Sequence, residues 1–163
     1  MARLIRSGLT WLWIAILVVA LDQCTKNWVV NHLVMYEPKV ILPFFDLTLA
    51  YNTGAAFSFL HAASGWQHLF LGSIAIVVCG ILIYWLSQLP SEDAWQSIAV
   101  NLIIGGALGN LWDRINYHYV IDFFAFHLGN WHFAIFNLAD SAICVGSIML
   151  IWSWFKAART QTQ

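Results

Sequence analysis

The sequence predicts an all-α membrane protein: four transmembrane helices, with short strands outside the bilayer. Of its 163 residues, 61% are hydrophobic and only 9% are charged, whereas an average soluble domain carries about 25% charged residues. Its apolar stretches are long enough to cross about 30 Å of hydrocarbon, which takes about 20 helical residues. Between two of these stretches, residues 33–65 alternate apolar and polar side chains, as strands do.

Four apolar stretches are candidate membrane-spanning helices, and they make residues 1–163 one integral membrane domain. The first stretch follows two arginines, as a signal peptide does, but Asp22 and Gln23 stand where cleavage would need small residues. We therefore predict that it is retained as the first helix. The predicted spans are about 10–32, 67–87, 95–113 and 134–156.

The segments between the spans indicate which side of the membrane each one faces. Residues 88–93 form a short polar turn, whereas residues 40–59 and 116–132 favour short strands. An even number of spans places both termini on one side, and the positive-inside rule makes that side cytoplasmic because basic residues lie at both ends. The strand-forming segments are then periplasmic. The basic residues are Arg3, Arg6, Lys156 and Arg159.

Several classes of function are not expected from the composition and motifs. The net charge is −1 at pH 7 and there is no basic tail, so nucleic acid is not an expected partner. Three cysteines (Cys24, Cys79 and Cys144) without a CxxC motif favour apolar packing over disulfides. The sequence has no HExxH and no GxSxG motif, which argues against a zinc peptidase and a serine hydrolase. No metal is expected, since the histidines nearest Asp122 match no strong ligand pattern: His118, His127 and His132.

The polar residues of the spans are predicted to lie at one depth, near the outer face. Asp22 lies in the outer half of the first span, and Asp122 lies in the loop before the fourth. Charged groups inside a membrane are costly, so their convergence predicts a functional site. Spacings of three and four residues place the others on shared helix faces. These are Asn110, Asp113 and Arg114 in the third span, and Asn137, Asp140 and Ser141 in the fourth, where Asp140 is expected about two turns (~10 Å) in.

Two carboxylates in a poorly solvated site can share one proton, which is the chemistry of an aspartic peptidase. Two other interpretations remain open. A small proton-coupled transporter could use the same buried carboxylates, and a scaffold without chemistry could use them as ion pairs. Asp22 and Lys26, four residues apart, can pair in this way, and Arg114 can either hold a substrate or pair with Asp113 or Asp22. The glycines around Gly105 and Gly109 are expected to serve helix packing.

Five segments resemble, in order, the signature blocks of the lipoprotein signal peptidase (signal peptidase II) family, and together they run from the first span to the fourth. One such block is weak support, but five at fitting intervals are specific. They are LDQCTK (Leu21–Lys26), YNTGAAFSFL (Tyr51–Leu60), GGALGNLWDR (Gly105–Arg114), VIDFFAF (Val120–Phe126) and FNLADSAI (Phe136–Ile143).

This resemblance implies an aspartic endopeptidase of the bacterial inner membrane, with four transmembrane helices, a small periplasmic β-cradle and a periplasmic loop or helix. Such enzymes cleave prolipoproteins before a diacylglyceryl-modified cysteine, need no metal or other cofactor, and are blocked by globomycin. The expected partners are the prolipoprotein and membrane lipid, the expected state is a monomer, and residues 117–133 are expected to cover the substrate. The family's catalytic pair corresponds to Asp122 and Asp140, and its polar surround to Asp22, Lys26, Asn52, Gly54, Asn110, Asp113, Arg114 and Asn137.

Overall fold

A computed structural model describes residues 7–54 and 66–160 of the chain. Residues 55–60 of the second signature block lie outside this part, as do Arg3, Arg6 and residues 61–65 of the segment between the first two spans. After a 3-10 turn at Gly8–Trp11, helices occupy the four predicted stretches. They are α1 (Leu12–His32), α2 (Gln67–Gln88), α3 (Ala94–Tyr117) and α4 (Leu138–Thr160).

Three of the described helices are long and apolar enough to cross a membrane: α1 with its preceding turn, α2 and α4. Helix α3 is long enough but not apolar enough to be counted with them, because its polar residues include Asn101, Asn110 and Asp113. The reason lies in its position, since α3 is the central helix and packs against each of the other three. Asn101, Asn110 and Asp113 are buried against protein instead of lipid, so α3 can be more polar than a helix that lipid surrounds.

Small residues let the other helices approach α3 closely, which confirms the expected packing role of its glycines. A Cβ atom at Gly105 would lie 2.7 Å from the Cβ of Val18 in α1, and one at Gly109 would lie 2.6 Å from Oδ2 of Asp22. Gly106 faces the backbone of Ala139 in α4 in the same way. Without side chains at these positions, α1 and α4 come within reach of the same end of α3.

A small antiparallel sheet covers that end of the helices. Within the described residues its strand order is β1 (Lys39–Leu42), β2 (Phe45–Asn52), β3 (Val120–Leu128) and β4 (Trp131–His132). The central pairing joins β2 to β3, with Ala50 opposite Asp122. The sheet packs on the end of α1 through a cluster of Val29, Leu49, Ile121 and Phe123.

The structure corrects two details of the sequence interpretation. Asp122 lies within strand β3 and not in a loop, because its segment pairs with β2, about 70 residues away along the chain. Helix α4 begins at Leu138 and not near residue 134, since Phe136 is still extended and exchanges backbone hydrogen bonds with Phe124. Asp140 therefore lies in the first turn of α4 and not two turns in.

The contact between α3 and α4 gives a test of the packing. A Cβ atom at Gly146 would lie 2.5 Å from the carbonyl oxygen of Ala99, so Gly146→Ala should lower the midpoint of thermal unfolding in detergent. Overpacking of this kind costs about 1–3 kcal/mol. Gly80→Ala is the matched control, because nothing lies within 4 Å of a Cβ there and alanine favours a helix by about 1 kcal/mol. Equal midpoints for Gly146→Ala and wild type would contradict this close contact.

Candidate active site

The two aspartates singled out from the sequence line one cavity of about 600 Å³ at the end of the helices that carries the sheet. Asp122 reaches it from β3, and Asp140 reaches it from the first turn of α4. Asn52, Asn110 and Arg114 line the same cavity. Five of the ten predicted site residues thus meet at one surface, although they come from four different elements.

Two amides hold the carboxylate of Asp122, which is only 2% exposed. Asn52 at the end of β2 donates to Oδ2 over 2.9 Å, and Asn137 donates to Oδ1 over 2.7 Å. The backbone N–H of Gly54 donates to Oδ1 of Asn52 over 3.0 Å, so that amide presents its nitrogen to Asp122. Gly54 therefore orients Asn52 and does not contact the carboxylate itself.

Burial raises the pKa of Asp122 from 3.8 to about 7. The negative charge of Asp140 adds to this rise, whereas the hydrogen bonds from Asn52 and Asn137 and the positive charge of Lys26 oppose it. Desolvation disfavours the charged form of a carboxyl group, and a second carboxylate nearby disfavours it further. Asp122 can therefore hold or release a proton near neutral pH.

Asp140 is fixed by a reciprocal pair of hydrogen bonds at the start of α4. Asn137 immediately precedes this helix, and its Oδ1 accepts from the N–H of Asp140 over 2.9 Å. In return, Oδ2 of Asp140 accepts from the N–H of Asn137 over 3.2 Å. This is the geometry of a capping box. Asn110 then donates to Oδ1 of Asp140 over 2.8 Å, which holds the carboxylate from the side of α3.

Asn137 is the side chain that connects the two aspartates. Its carbonyl oxygen accepts from the backbone of Asp140, and its amide nitrogen donates to Asp122 and to Oδ1 of Asn110. A single short amide thereby links α4, β3 and α3. The positions of both carboxylates depend on this link.

A buried cation lies behind the cavity and is not among the residues that line it. The ammonium group of Lys26 is 2.8 Å from Oδ2 of Asp22 and 2.8 Å from Oδ2 of Asp113, so the predicted pairing with Asp22 is confirmed. Lys26 is 1% exposed and both aspartates are fully buried. Its Nζ also donates to Oδ1 of Asn110 over 3.0 Å, which connects this ion pair to the residues around Asp140.

Gln23 is half-buried and contacts the same ion pair, and the sequence interpretation missed it as a site residue. Its amide nitrogen donates to Asp22 over 3.1 Å and to Asp113 over 2.9 Å. The signal was present in the sequence, because Gln23 and Lys26 are three residues apart and so share a face of α1. A polar side chain within an apolar span is itself unusual.

Arg114 lines the cavity and forms no ion pair with any residue in the described part of the chain. It donates to the backbone oxygen of Asn110 over 3.2 Å and to that of Gly54 over 3.5 Å. Pairing with Asp113 or Asp22, one of the sequence alternatives, is not observed because Lys26 already pairs with both. The guanidinium group instead lies in the field of Asp140 and Asp122.

Apart from Ser141, the remainder of the cavity is apolar and extends along the outside of α4. Phe133, Ile135 and Phe136 form one wall, and Ile143 and Val145 continue it along the helix. Val145 is 50% exposed, and α4 is one of the candidate membrane spans, so the cavity opens on the apolar outer surface of a predicted span. The sequence interpretation did not identify these apolar residues, because nothing distinguishes them from ordinary lipid-facing side chains.

The histidines near Asp122 have other contacts. His127 pairs with Asp46 over 3.1 Å and its ring lies against that of His132, while the ring of His118 lies against that of His68. Among residues 7–54 and 66–160, no three His, Cys, Asp or Glu side chains are grouped so that they could hold a metal ion. The described part of the site offers carboxylates, amides and one guanidinium group for chemistry.

Comparison with known proteins identifies the family. The family model described as "Signal peptidase (SPase) II" matches residues 14–156. The chain belongs to the signal peptidase II family. It is therefore a peptidase of the membrane, as the resemblance predicted, and the transporter alternative is not supported.

Similar proteins cover nearly the whole chain. The lipoprotein signal peptidase of Pseudomonas syringae pv. tomato is 49% identical over 154 residues, which are 93% of this chain and 89% of that protein. Its counterpart in Coxiella burnetii is 53% identical over 141 residues, or 86% of each chain. A bacterial membrane enzyme solved by the in meso method at 2.3 Å resolution shares the fold with a TM-score of 0.81 and 30% identity, covering 91% of this chain and 89% of that one.

For a peptidase of this family, the unequal surroundings of the two carboxylates lead to a test. Asp140→Asn removes the neighbouring charge and should lower the pKa of Asp122 from about 7, yet leave it above 3.8 because burial remains. The measurement is a titration of the carboxyl carbon of Asp122 by NMR in detergent micelles. Asp46→Asn, which removes a carboxylate paired with His127 elsewhere in the sheet, is the control and should leave the pKa of Asp122 unchanged.

The raised pKa of Asp122 also predicts how the stability of the folded protein changes with pH. Because the pKa of Asp122 is higher in the folded state, the folded protein binds this proton more tightly than the unfolded chain. The stability contributed by Asp122 is full below pH 3.8 and is lost as the pH rises through about 7. Asp122→Asn should remove this component of the pH dependence. In the NMR titration described above, an Asp122 pKa that is unchanged or raised in Asp140→Asn would contradict the repulsion between the two carboxylates.

Proposed function

We propose that this chain removes the signal peptide from diacylglyceryl-modified prolipoproteins by cleaving before the lipidated cysteine, with Asp122 and Asp140 as the catalytic pair. The observation that carries the proposal is one cavity lined by two carboxylates that Asn137 connects, one of which has a pKa near 7. Similar proteins carry the name lipoprotein signal peptidase, which supports the choice of substrate.

In the proposed reaction, the pair begins with one proton, which Asp122 holds. Asp140 takes a proton from a water molecule as the water oxygen bonds to the carbonyl carbon of the scissile peptide. Asp122 then gives its proton to the amide nitrogen as the C–N bond breaks, which releases an amine and a carboxylic acid. Asp140 now holds the proton, and its return to Asp122 restores the starting state. No metal or other cofactor takes part.

The amides and Arg114 are proposed to hold the substrate and the pair in place. Amide side chains do not titrate and arginine stays charged, so these groups are poor proton carriers but good hydrogen-bond donors. Asn52, Asn110 and Asn137 already hold the carboxylates. Arg114 lines the cavity without an ion pair in the described structure, so we assign it to a substrate carbonyl.

The apolar side of the cavity suits a substrate that remains in the membrane. A signal peptide helix and the acyl chains of the modified cysteine are apolar, and the wall formed by Phe136, Ile143 and Val145 continues from the carboxylates toward the hydrocarbon. A substrate lying along α4 would place its scissile bond beside Asp140. Residues 117–133, which include strands β3 and β4, would cover the substrate from the side of the sheet.

We further propose a multi-pass protein of the bacterial inner membrane that acts as a monomer, with α3 as its fourth transmembrane helix. At about 1.5 Å per residue, the 24 residues of α3 span about 36 Å, which is enough to cross the bilayer. Asn101, Asn110 and Asp113 of this helix are buried within the protein. Both termini are then cytoplasmic, and the sheet and catalytic pair lie near the periplasmic face.

The main test is cleavage by purified protein of prolipoprotein with and without the diacylglyceryl group, followed on a gel. Asp122→Asn and Asp140→Asn should each lower turnover by about 100- to 10,000-fold or more, because asparagine neither accepts nor delivers the proton. Both variants should remain folded in the membrane. Asp46→Asn should cleave normally, since Asp46 pairs with His127 away from the cavity. Near-normal turnover in either dyad variant would refute the assignment.

Topology is tested separately with reporter fusions. An alkaline phosphatase fusion at Gln163 should be inactive and one after Glu37 should be active, because that reporter folds only in the periplasm. The prediction rests on the basic residues at both ends and on four crossings. An active fusion at Gln163 would show that the C-terminus is exported or that α3 does not cross.

A further inference from the structure

We propose that four polar side chains, three of them buried and one half-buried, form a positioning group that sets the register of both catalytic aspartates. The group consists of Asp22, Gln23, Lys26 and Asp113. Each of its aspartates holds the backbone one residue before a member of the catalytic pair. This inference rests on the proposed function, since it assumes that Asp122 and Asp140 are that pair.

Two backbone hydrogen bonds carry the inference. Oδ1 of Asp22 accepts from the N–H of Ala139 over 3.1 Å, and Ala139 immediately precedes Asp140. Oδ2 of Asp113 accepts from the N–H of Ile121 over 3.1 Å, and Ile121 immediately precedes Asp122. The N–H of Ala139 lies in the first turn of α4, where a helix supplies no partner of its own. Each contact holds the residue that precedes a catalytic aspartate, although the first joins α1 to α4 and the second joins α3 to β3.

Lys26 and Gln23 fix the distance between these two contacts. Lys26 binds the second oxygen of Asp22 and the same oxygen of Asp113 that holds Ile121. Gln23 donates to the remaining oxygen of Asp113 and again to Asp22. Every carboxylate oxygen of the group therefore has a partner, and neither aspartate can rotate without breaking one. A movement of α1 relative to α3 would shift the backbone before both catalytic residues.

Gly109 independently indicates that this geometry is tightly specified. A Cβ atom there would lie 2.6 Å from Oδ2 of Asp22, so only glycine lets the backbone of α3 come this near to the group. The carbonyl oxygen of Gly109 also accepts from Gln23 over 3.3 Å. Helix α3 thus contacts the group by its backbone as well as through Asp113.

The group also acts on the pair through charge. The positive charge of Lys26, the cation of the group, opposes protonation of Asp122. Lys26 further donates to Asn110, whose amide donates to Asp140. A group that only joined α1 to α3 would affect stability, whereas a positioning group affects turnover and its pH dependence as well.

The decisive variant is Asp113→Asn, which keeps the size of the side chain but has only one oxygen to serve Ile121, Lys26 and Gln23. We expect kcat to fall on the order of 100-fold, as for a small misplacement of reacting groups, with KM little changed. Backbone amide exchange, measured by NMR with hydrogen–deuterium exchange, should accelerate at Ile121 and remain slow at Ala139. Asp22→Asn should give the opposite pattern of exchange. Asp46→Asn is the matched control and should change neither exchange nor kcat.

A second variant keeps the test decisive if Asp113→Asn does not fold. Gln23→Leu retains every charge and both backbone contacts but removes the amide link between the carboxylates, and it should fold with a lowered kcat.

Lys26→Met should raise the pKa of Asp122 and move the alkaline limb of the kcat profile to higher pH, because the opposing cation is gone.

Wild-type kcat in folded Asp113→Asn, or in folded Gln23→Leu, would overturn the positioning role. So would equal exchange at Ile121 in wild type and Asp113→Asn. Failure of the proposed function looks different, because Asp122→Asn or Asp140→Asn would then still cleave. The exchange pattern at Ile121 and Ala139 does not depend on cleavage, so the two failures are distinguishable.

Discussion

The ammonium group of Lys26 lies 2.8 Å from a carboxylate oxygen of Asp22 and 2.8 Å from one of Asp113, and all three side chains are buried. An unpaired charge in such a place is strongly unfavourable, and breaking a buried pair by removing one partner costs about 3–5 kcal/mol. Helices α1 and α3 must therefore meet in the one register that brings these groups together. The second oxygen of Asp22 extends this constraint to α4, and the oxygen of Asp113 that binds Lys26 also extends it to β3.

The helices differ in composition according to where they lie relative to this buried group of charges. Helices α1, α2 and α4 present apolar faces outward and have the composition of membrane spans, whereas α3 packs against all three and buries Asn101, Asn110 and Asp113. Asn110 and Asp113 are tolerated there because protein groups form hydrogen bonds and ion pairs with them. Glycines at 105, 106, 109 and 146 shorten the distances between helices, so that short side chains such as asparagine reach their partners across an interface.

The site combines rigid polar contacts with an opening toward lipid. Asp122 and Asp140 are held by amides from β2, α3 and the start of α4, while the rest of the cavity is formed by aromatic and aliphatic residues along α4. Burial in this setting raises the pKa of Asp122 to about 7. Such a cavity suits the apolar, membrane-embedded substrate that we propose.

The sequence by itself determined the membrane class, the four helical stretches, the family and the identity of the polar residues, because hydropathy, helical spacing and signature blocks are local properties of the chain. The pairing of Asp22 with Lys26 was predictable for the same reason, since both lie on one helix face. Tertiary structure alone decided that Asp122 lies on a strand and that α4 begins at Leu138, because both depend on distant partners: β2 for the first and Phe124 for the second. The contacts of Asp22 with Ala139 and of Asp113 with Ile121 were equally hidden, because a backbone N–H leaves no mark in the sequence.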